Sequence, residues 1–175
     1  MNFARTGFLL SLVLALTNTA AAKDRIGDFS LLDDQGKFHQ LSYYGDYQAV
    51  AVLVSGLSGQ VDKQQLSAFA ELATTRSDEV VFWVLNPNPQ MDREAVRAAL
   101  DSQQIDLPVL MDESQLVAKS LSARTFGEIF LLNPQTATLI QRTNMEGLKV
   151  SLDALNGGLI PVSYTHLTLP TIYSV

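Results

Sequence analysis

The hydrophobic pattern predicts an ordered series of elements. Phe29 to Leu41 reads as two short extended pieces around Asp33-Asp34-Gln35-Gly36, a turn-rich tetrad whose glycine can take positive φ, and so predicts a β-hairpin. Ala49-Val50-Ala51-Val52-Leu53-Val54 is an unbroken apolar run, of a length that suits a strand covered on both faces. Ser55 to Gly59 interrupts it. In the helix predicted next, Val61, Leu66, Phe69, Ala70 and Leu72 fall broadly on one face, with Asp62, Lys63, Gln64 and Ser67 on the solvent side.

A second buried strand, Val80-Val81-Phe82-Trp83-Val84-Leu85, ends at Asn86-Pro87-Asn88-Pro89, where paired prolines stop both strand and helix. A helix is predicted from Asp92 to Ser102. Met91, Ala95, Val96, Ala99 and Leu100 form its apolar face, and Asp92 and Glu94 sit near its positive end. Pro108 to Met111 then reads as a strand and Glu113 to Leu121 as a helix. Ile129 to Leu132 and Thr138 to Gln141 form a second hairpin around Asn133-Pro134-Gln135-Thr136, and Leu148 to Leu155 is a closing helix. Strands alternating with helices and ending in a hairpin predict an α/β sandwich, its mixed sheet parallel in the middle and antiparallel at the last pair.

Both ends differ from this pattern. Arg5, the apolar run Phe8 to Leu16 and Ala20-Ala21-Ala22 have the layout of a secretory signal over residues 1–22, with cleavage leaving Lys23 first. The run is shorter than the about 20 residues that span a bilayer, so the expectation is export to a bacterial periplasm with no stable anchor after cleavage. At the other end, Val162-Ser163-Tyr164-Thr165-His166-Leu167-Thr168-Leu169-Pro170-Thr171 resembles a translated transposase-type sequencing adapter, and no charged residue occurs from Val162 to Val175. Residues 162–175 are therefore expected to be non-native, with the natural gene interrupted near Ile160, and His166, Tyr164 and Tyr173 carry no functional weight. Residues 23–161 have the size of one domain.

Charge and chemistry narrow the function. Without Arg5 the chain has 11 basic against 18 acidic residues, a balance that disfavours nucleic acid and anionic lipid as partners. Cysteine is absent, so no disulfide supports the fold. Outside the tail the one histidine is His39, placed beside Phe38 and Leu41 and expected at a surface or strand edge rather than as a ligand. The acid pair Asp33-Asp34 reads as turn chemistry and Asp112-Glu113 as a helix-start cap. Trp83, Phe82 and Phe130 read as core, and Tyr43, Tyr44 and Tyr47 as an aromatic cluster packed on the neighbouring strand.

Three segments, in order, carry a resemblance: Gly27-Asp28-Phe29 with Leu31 and Asp34-Gln35-Gly36-Lys37; Ile105-Asp106-Leu107-Pro108-Val109-Leu110-Met111-Asp112; and Glu128-Ile129-Phe130-Leu131-Leu132-Asn133-Pro134. They resemble redoxin domains of the thioredoxin-like superfamily, which includes peroxiredoxins and thiol-disulfide oxidoreductases, and span nearly all of residues 23–161. The resemblance implies a thioredoxin-like sandwich with a mixed central sheet flanked by helices. It also implies a reactive cysteine at the start of the first long helix, where free N–H groups and the helix dipole lower a thiol pKa.

The departures fall at that site. Gly59 stands at the thiol position, Asp62 at the second thiol position and Gln60 where the motif often has proline. Gly127 stands where the family commonly places a cis-proline, and glycine can adopt that backbone shape but loses the rigid ring. Neither glycine nor aspartate can form a mixed disulfide or a sulfenic acid. The helix start at Ser58-Gly59-Gln60 could receive an anion or a peptide carbonyl, although water or the Ser58 hydroxyl also satisfies such groups. No catalytic residue, metal or cofactor is assigned. Two functions remain: a binding module whose old groove takes a peptide, a partner protein or a small ligand, and an oxidoreductase whose essential cysteine lies beyond Ile160 or on a partner.

Overall fold

Six consecutive buried residues, Ala49–Val54, form the central strand of the sheet in a computed structural model that describes residues 25–57 and 60–156. The expected leader and tail, and the helix-start residues Ser58 and Gly59, lie outside these residues. In chain order the elements are β1 (Ser30–Leu32), β2 (Phe38–Gln40), a 3-10 turn over Leu41–Tyr44, β3 (Ala49–Val54), α1 (Gln60–Arg76), β4 (Val80–Asn86), α2 (Arg93–Asp101), β5 (Val109–Met111), α3 (Leu116–Ser120), β6 (Ile129–Asn133), β7 (Thr138–Thr143) and α4 (Met145–Asn156). The main sheet has the order β5-β4-β3-β6-β7. β3, β4 and β5 are parallel, whereas β6 and β7 run antiparallel to their neighbours. β1 and β2 form a separate hairpin.

Strand alternation divides the core. Ala49, Ala51 and Leu53 of β3 join Leu66 and Phe69 of α1, Val96 and Leu100 of α2, and Leu148 and Leu152 of α4. Val50, Val52 and Val54 join Leu41, Trp83, Phe130, Val117 and Leu121 on the other face. β3 is apolar at every position because helices or the hairpin cover both sides. Each fully buried Leu or Phe adds about 1.5–3 kcal/mol of transfer free energy. The aromatic expectation is met: Trp83, Phe82 and Phe130 are all buried.

Boundaries moved where local chemistry competes with periodicity. The stretch after β2 folds as a 3-10 turn that the hydrophobic pattern did not signal, held by Asp28, whose carboxylate accepts from the Ser42 N–H and Ser42 hydroxyl. Asp92 is the N-cap of α2 rather than its first residue, accepting from the Ala95 N–H at 2.8 Å. On α2 Val96 and Leu100 are buried as expected, but Ala95 is exposed. α3 begins three residues later than expected, since Gln115 ahead of it takes φ 57°. α4 starts earlier, at Met145. On α1 Asp62 is nearly buried, a correction to its expected solvent position.

Candidate functional site

The cleft lies at the carboxyl ends of β3 and β4, where the sheet changes from parallel to antiparallel pairing and where open α/β sheets generally bind ligands. β3 ends at Val54, and Ser55, Gly56 and Leu57 lead toward α1. Two backbone bonds fasten this end to the loop entering β6: Val54 N–H to the Glu128 carbonyl at 3.0 Å, and Gly127 N–H to the Val54 carbonyl at 2.8 Å. Ser55 donates its N–H to the Leu85 carbonyl, and its hydroxyl accepts from the Leu57 N–H at 3.0 Å. The Phe126 ring lies over Gly56 so closely that a Cβ there would be 2.9 Å from a ring carbon.

Of the degenerate positions, Ser58 and Gly59 lie outside the described residues and Gln60 is the first residue of α1. Asp62 occupies the first helical turn, where a carboxylate favours the positive end of the helix. Across the cleft, Gly127 has φ 89°, and the Gln65 amide of α1 fills the space beside it, 2.7 Å from where a Cβ would sit. Glycine here uses the positive-φ freedom that proline lacks. Proline is confined to φ near −65° and has no N–H, so it could neither take this conformation nor donate to Val54.

Next to this loop a groove of about 500 Å³ is lined by Val54, Pro87, Gln115, Ala118, Lys119 and the segment Ala123 to Phe126. Its charged lining residues, Lys119 and Arg124, are both cationic. Leu116 and Phe126 are exposed large apolar side chains at 66% and 53%. At the end of β4, the buried Asn86 accepts from the Asn88 N–H, while its Nδ2 has no hydrogen-bond partner among the described residues. These groups offer apolar contact and hydrogen bonds but no thiol. Among the described residues no group of His, Cys, Asp and Glu is arranged to hold a metal ion.

The acidic residues in the redoxin-like segments secure backbone. Asp33 accepts from the Gln35 and Lys37 N–H groups, closing the first turn. Asp34 exchanges backbone and side-chain bonds with Val109, pinning the hairpin to β5. Asp112 accepts from the Val117 and Ala118 N–H groups at 3.3 and 2.8 Å and so caps α3, while Glu113 is exposed. Glu128 accepts from the Arg124 and Thr125 N–H groups, shaping the loop beside the groove. The turn and cap roles expected from sequence are those observed.

His39 differs from expectation: it lies on β2, but is 4% exposed. Its Nε2 is 2.8 Å from Asp33 Oδ2 and its Nδ1 2.7 Å from the Tyr44 hydroxyl. Burial alone would raise the Asp33 pKa. The His39 hydrogen bond and the Lys37 and Gln35 N–H groups outweigh it, holding the carboxyl below its usual range. Burial raises the Tyr44 pKa, with further contributions from Tyr47 and Asp33. Tyr44 packs edge-on against Trp83 at 5.0 Å, while Tyr43 is exposed. The spacing of His39 two residues before the fully buried Leu41 was the available sign of its inward face.

No protein-family model and no curated protein sequence matches the chain. Solved structures do. A hypothetical protein of Sinorhizobium meliloti 1021 superposes with a TM-score of 0.71 at 23% identity, covering 82% of this chain and 88% of that one. Peroxidoxin BcpB from Mycobacterium tuberculosis gives 0.64 at 16% identity, covering 77% and 96%. A thiol-disulfide oxidoreductase from Bacteroides fragilis NCTC 9343 gives 0.64 at 18% identity, covering 75% and 98%. The fold is thioredoxin-like, and it is built here from a chain that contains no cysteine.

Proposed function

We propose that this chain is an exported, non-catalytic binding module that uses the groove beside its former redox site to hold an extended segment of a partner protein. The observation that carries this reading is the combination of a cysteine-free sequence with an open apolar groove at the same end of the sheet. Thiol exchange and peroxide reduction both begin with sulfur attack, which this sequence cannot supply. The apolar surface has nevertheless stayed exposed: Phe126 covers Gly56 and faces solvent, and Leu116 stands nearby on α3. An apolar patch with a cationic rim fits a peptide bearing an apolar anchor and an acidic residue. The leader-like pattern of residues 1–22 supports export, and no helix among the described residues is long and apolar enough to cross a membrane.

The test uses purified full chain in two assays. Insulin reduction and peroxide consumption should stay at the buffer rate. A displayed library of random peptides should yield apolar-acidic binders to the wild type that bind neither Phe126→Ser nor the Lys119→Glu/Arg124→Glu pair. Turnover above the buffer rate, or binders indifferent to all three substitutions, would overturn the reading.

A further inference from the structure

The Asp33–His39–Tyr44 relay lies outside the groove and plays no part in binding there. Its atoms form one line: Asp33 Oδ2 to His39 Nε2 at 2.8 Å, then His39 Nδ1 to the Tyr44 hydroxyl at 2.7 Å. The Asp33 carboxylate, held ionised, can only accept, so the nitrogen facing it, Nε2, donates to it. In the tautomer whose single ring proton is on Nε2, the Nδ1 lone pair faces Tyr44 and accepts from the phenol O–H. Around the phenol lie the buried Trp83 ring at 5.0 Å and the half-buried Tyr47 ring at 6.1 Å, and His39 itself packs edge-on against Trp83 at 5.7 Å.

From this juxtaposition of a hydrogen-bonded phenol, an oriented base and a neighbouring indole, we propose that Tyr44 is a one-electron redox site that quenches diffusible oxidising radicals. The radical takes one electron from Tyr44 and is reduced. The Tyr44 O–H bond breaks, and its proton forms an Nδ1–H bond on His39. The products are a neutral phenoxyl radical and an imidazolium paired with the Asp33 carboxylate, so no proton is released to solvent and no charge is left unpaired. A small-molecule one-electron donor of the enediol class returns the electron, and the proton goes back from Nδ1 to the phenol oxygen. A phenol without a bonded base would pass through a charged radical cation in a poorly solvated site, which is costly. Trp83 and Tyr47 provide ring contacts through which oxidation beginning elsewhere in the aromatic cluster reaches Tyr44. The activity requires no sulfur and is independent of the groove.

The experiment oxidises the full chain with flash-generated tris(bipyridine)ruthenium(III) and follows the phenoxyl radical by optical absorption and freeze-quench electron paramagnetic resonance. The wild type should give a phenoxyl signal that forms more slowly in D₂O. In a full chain whose Tyr43, Tyr164 and Tyr173 are first replaced by phenylalanine, Tyr44→Phe should lose it and Tyr47→Phe should keep it. His39→Gln should slow its formation and reduce the isotope effect. A signal that survives Tyr44→Phe, a wild-type spectrum that is tryptophanyl only, or formation kinetics unaffected by D₂O would each overturn the proposal. If His39→Gln unfolds, the Tyr44→Phe and D₂O comparisons still decide the outcome.

Discussion

Placing a proline at Gly127 should destabilise this protein, the reverse of what resemblance to redoxins suggests. Three costs follow from the structure. At φ 89° a proline cannot be accommodated, so the loop must move, and holding any non-glycine residue in this region costs about 1–2 kcal/mol. The Gly127 N–H bond to the Val54 carbonyl, 2.8 Å long, is lost with the donor, for about 0.5–1.5 kcal/mol. The Gln65 amide, 2.7 Å from where a Cβ would sit, must swing away, a smaller cost because it ends a flexible side chain. The sum for Gly127→Pro is about 3 kcal/mol, while Gly127→Ala keeps the N–H and should cost about 1–2 kcal/mol. In urea denaturation followed by Trp83 fluorescence, the midpoints should fall in the order wild type, alanine, proline. At about 3 °C per kcal/mol for a domain of this size, the proline variant should melt about 10 °C lower. A proline variant as stable as the wild type would show that the positive-φ loop is not what the β6 entrance needs.

Further expectations concern the buried polar groups. Asp112→Ala should cost about 1–3 kcal/mol by leaving the Val117 and Ala118 N–H groups unpaired at a buried helix start, and hydrogen exchange should speed up first in α3. Asp33 titrates below the usual carboxylate range when folded. Its contribution to stability is therefore complete above the unfolded value of about 4 and is lost as pH falls through the depressed folded value; Asp33→Asn should flatten the acid limb of the stability profile. Trp83→Ala should cost about 3–5 kcal/mol by emptying the space beneath the hairpin, measured by calorimetry. Asp34→Ala should loosen the hairpin from β5, seen as faster amide exchange at Val109, with a smaller change in global stability.

Sequence determined what periodicity and chemistry fix locally. The runs Ala49–Val54 and Val80–Leu85 have no polar face, which made them central strands, and the Asn86-Pro87-Asn88-Pro89 stop and Asp33-Asp34-Gln35-Gly36 turn set the intervening boundaries. The absence of a thiol from these residues was also legible there, since cysteine is missing from the sequence. Asp112 could be read as a cap because acceptor side chains ahead of a helix act over a few residues.

Tertiary structure decided what depends on contacts between distant segments. Gly127 takes positive φ because β3 accepts its N–H and α1 places Gln65 against it, neither of which is legible in the residues around Gly127. His39 is buried because the hairpin lies on Trp83 of β4, whereas its own neighbours Phe38 and Gln40 suggest an edge. The groove arises only when α3, the loop before β6 and the Pro87 turn meet. Hydrophobic patterning reports which face is buried, but the register, approach and hydrogen-bond partners of segments far apart in sequence are set by the packed whole.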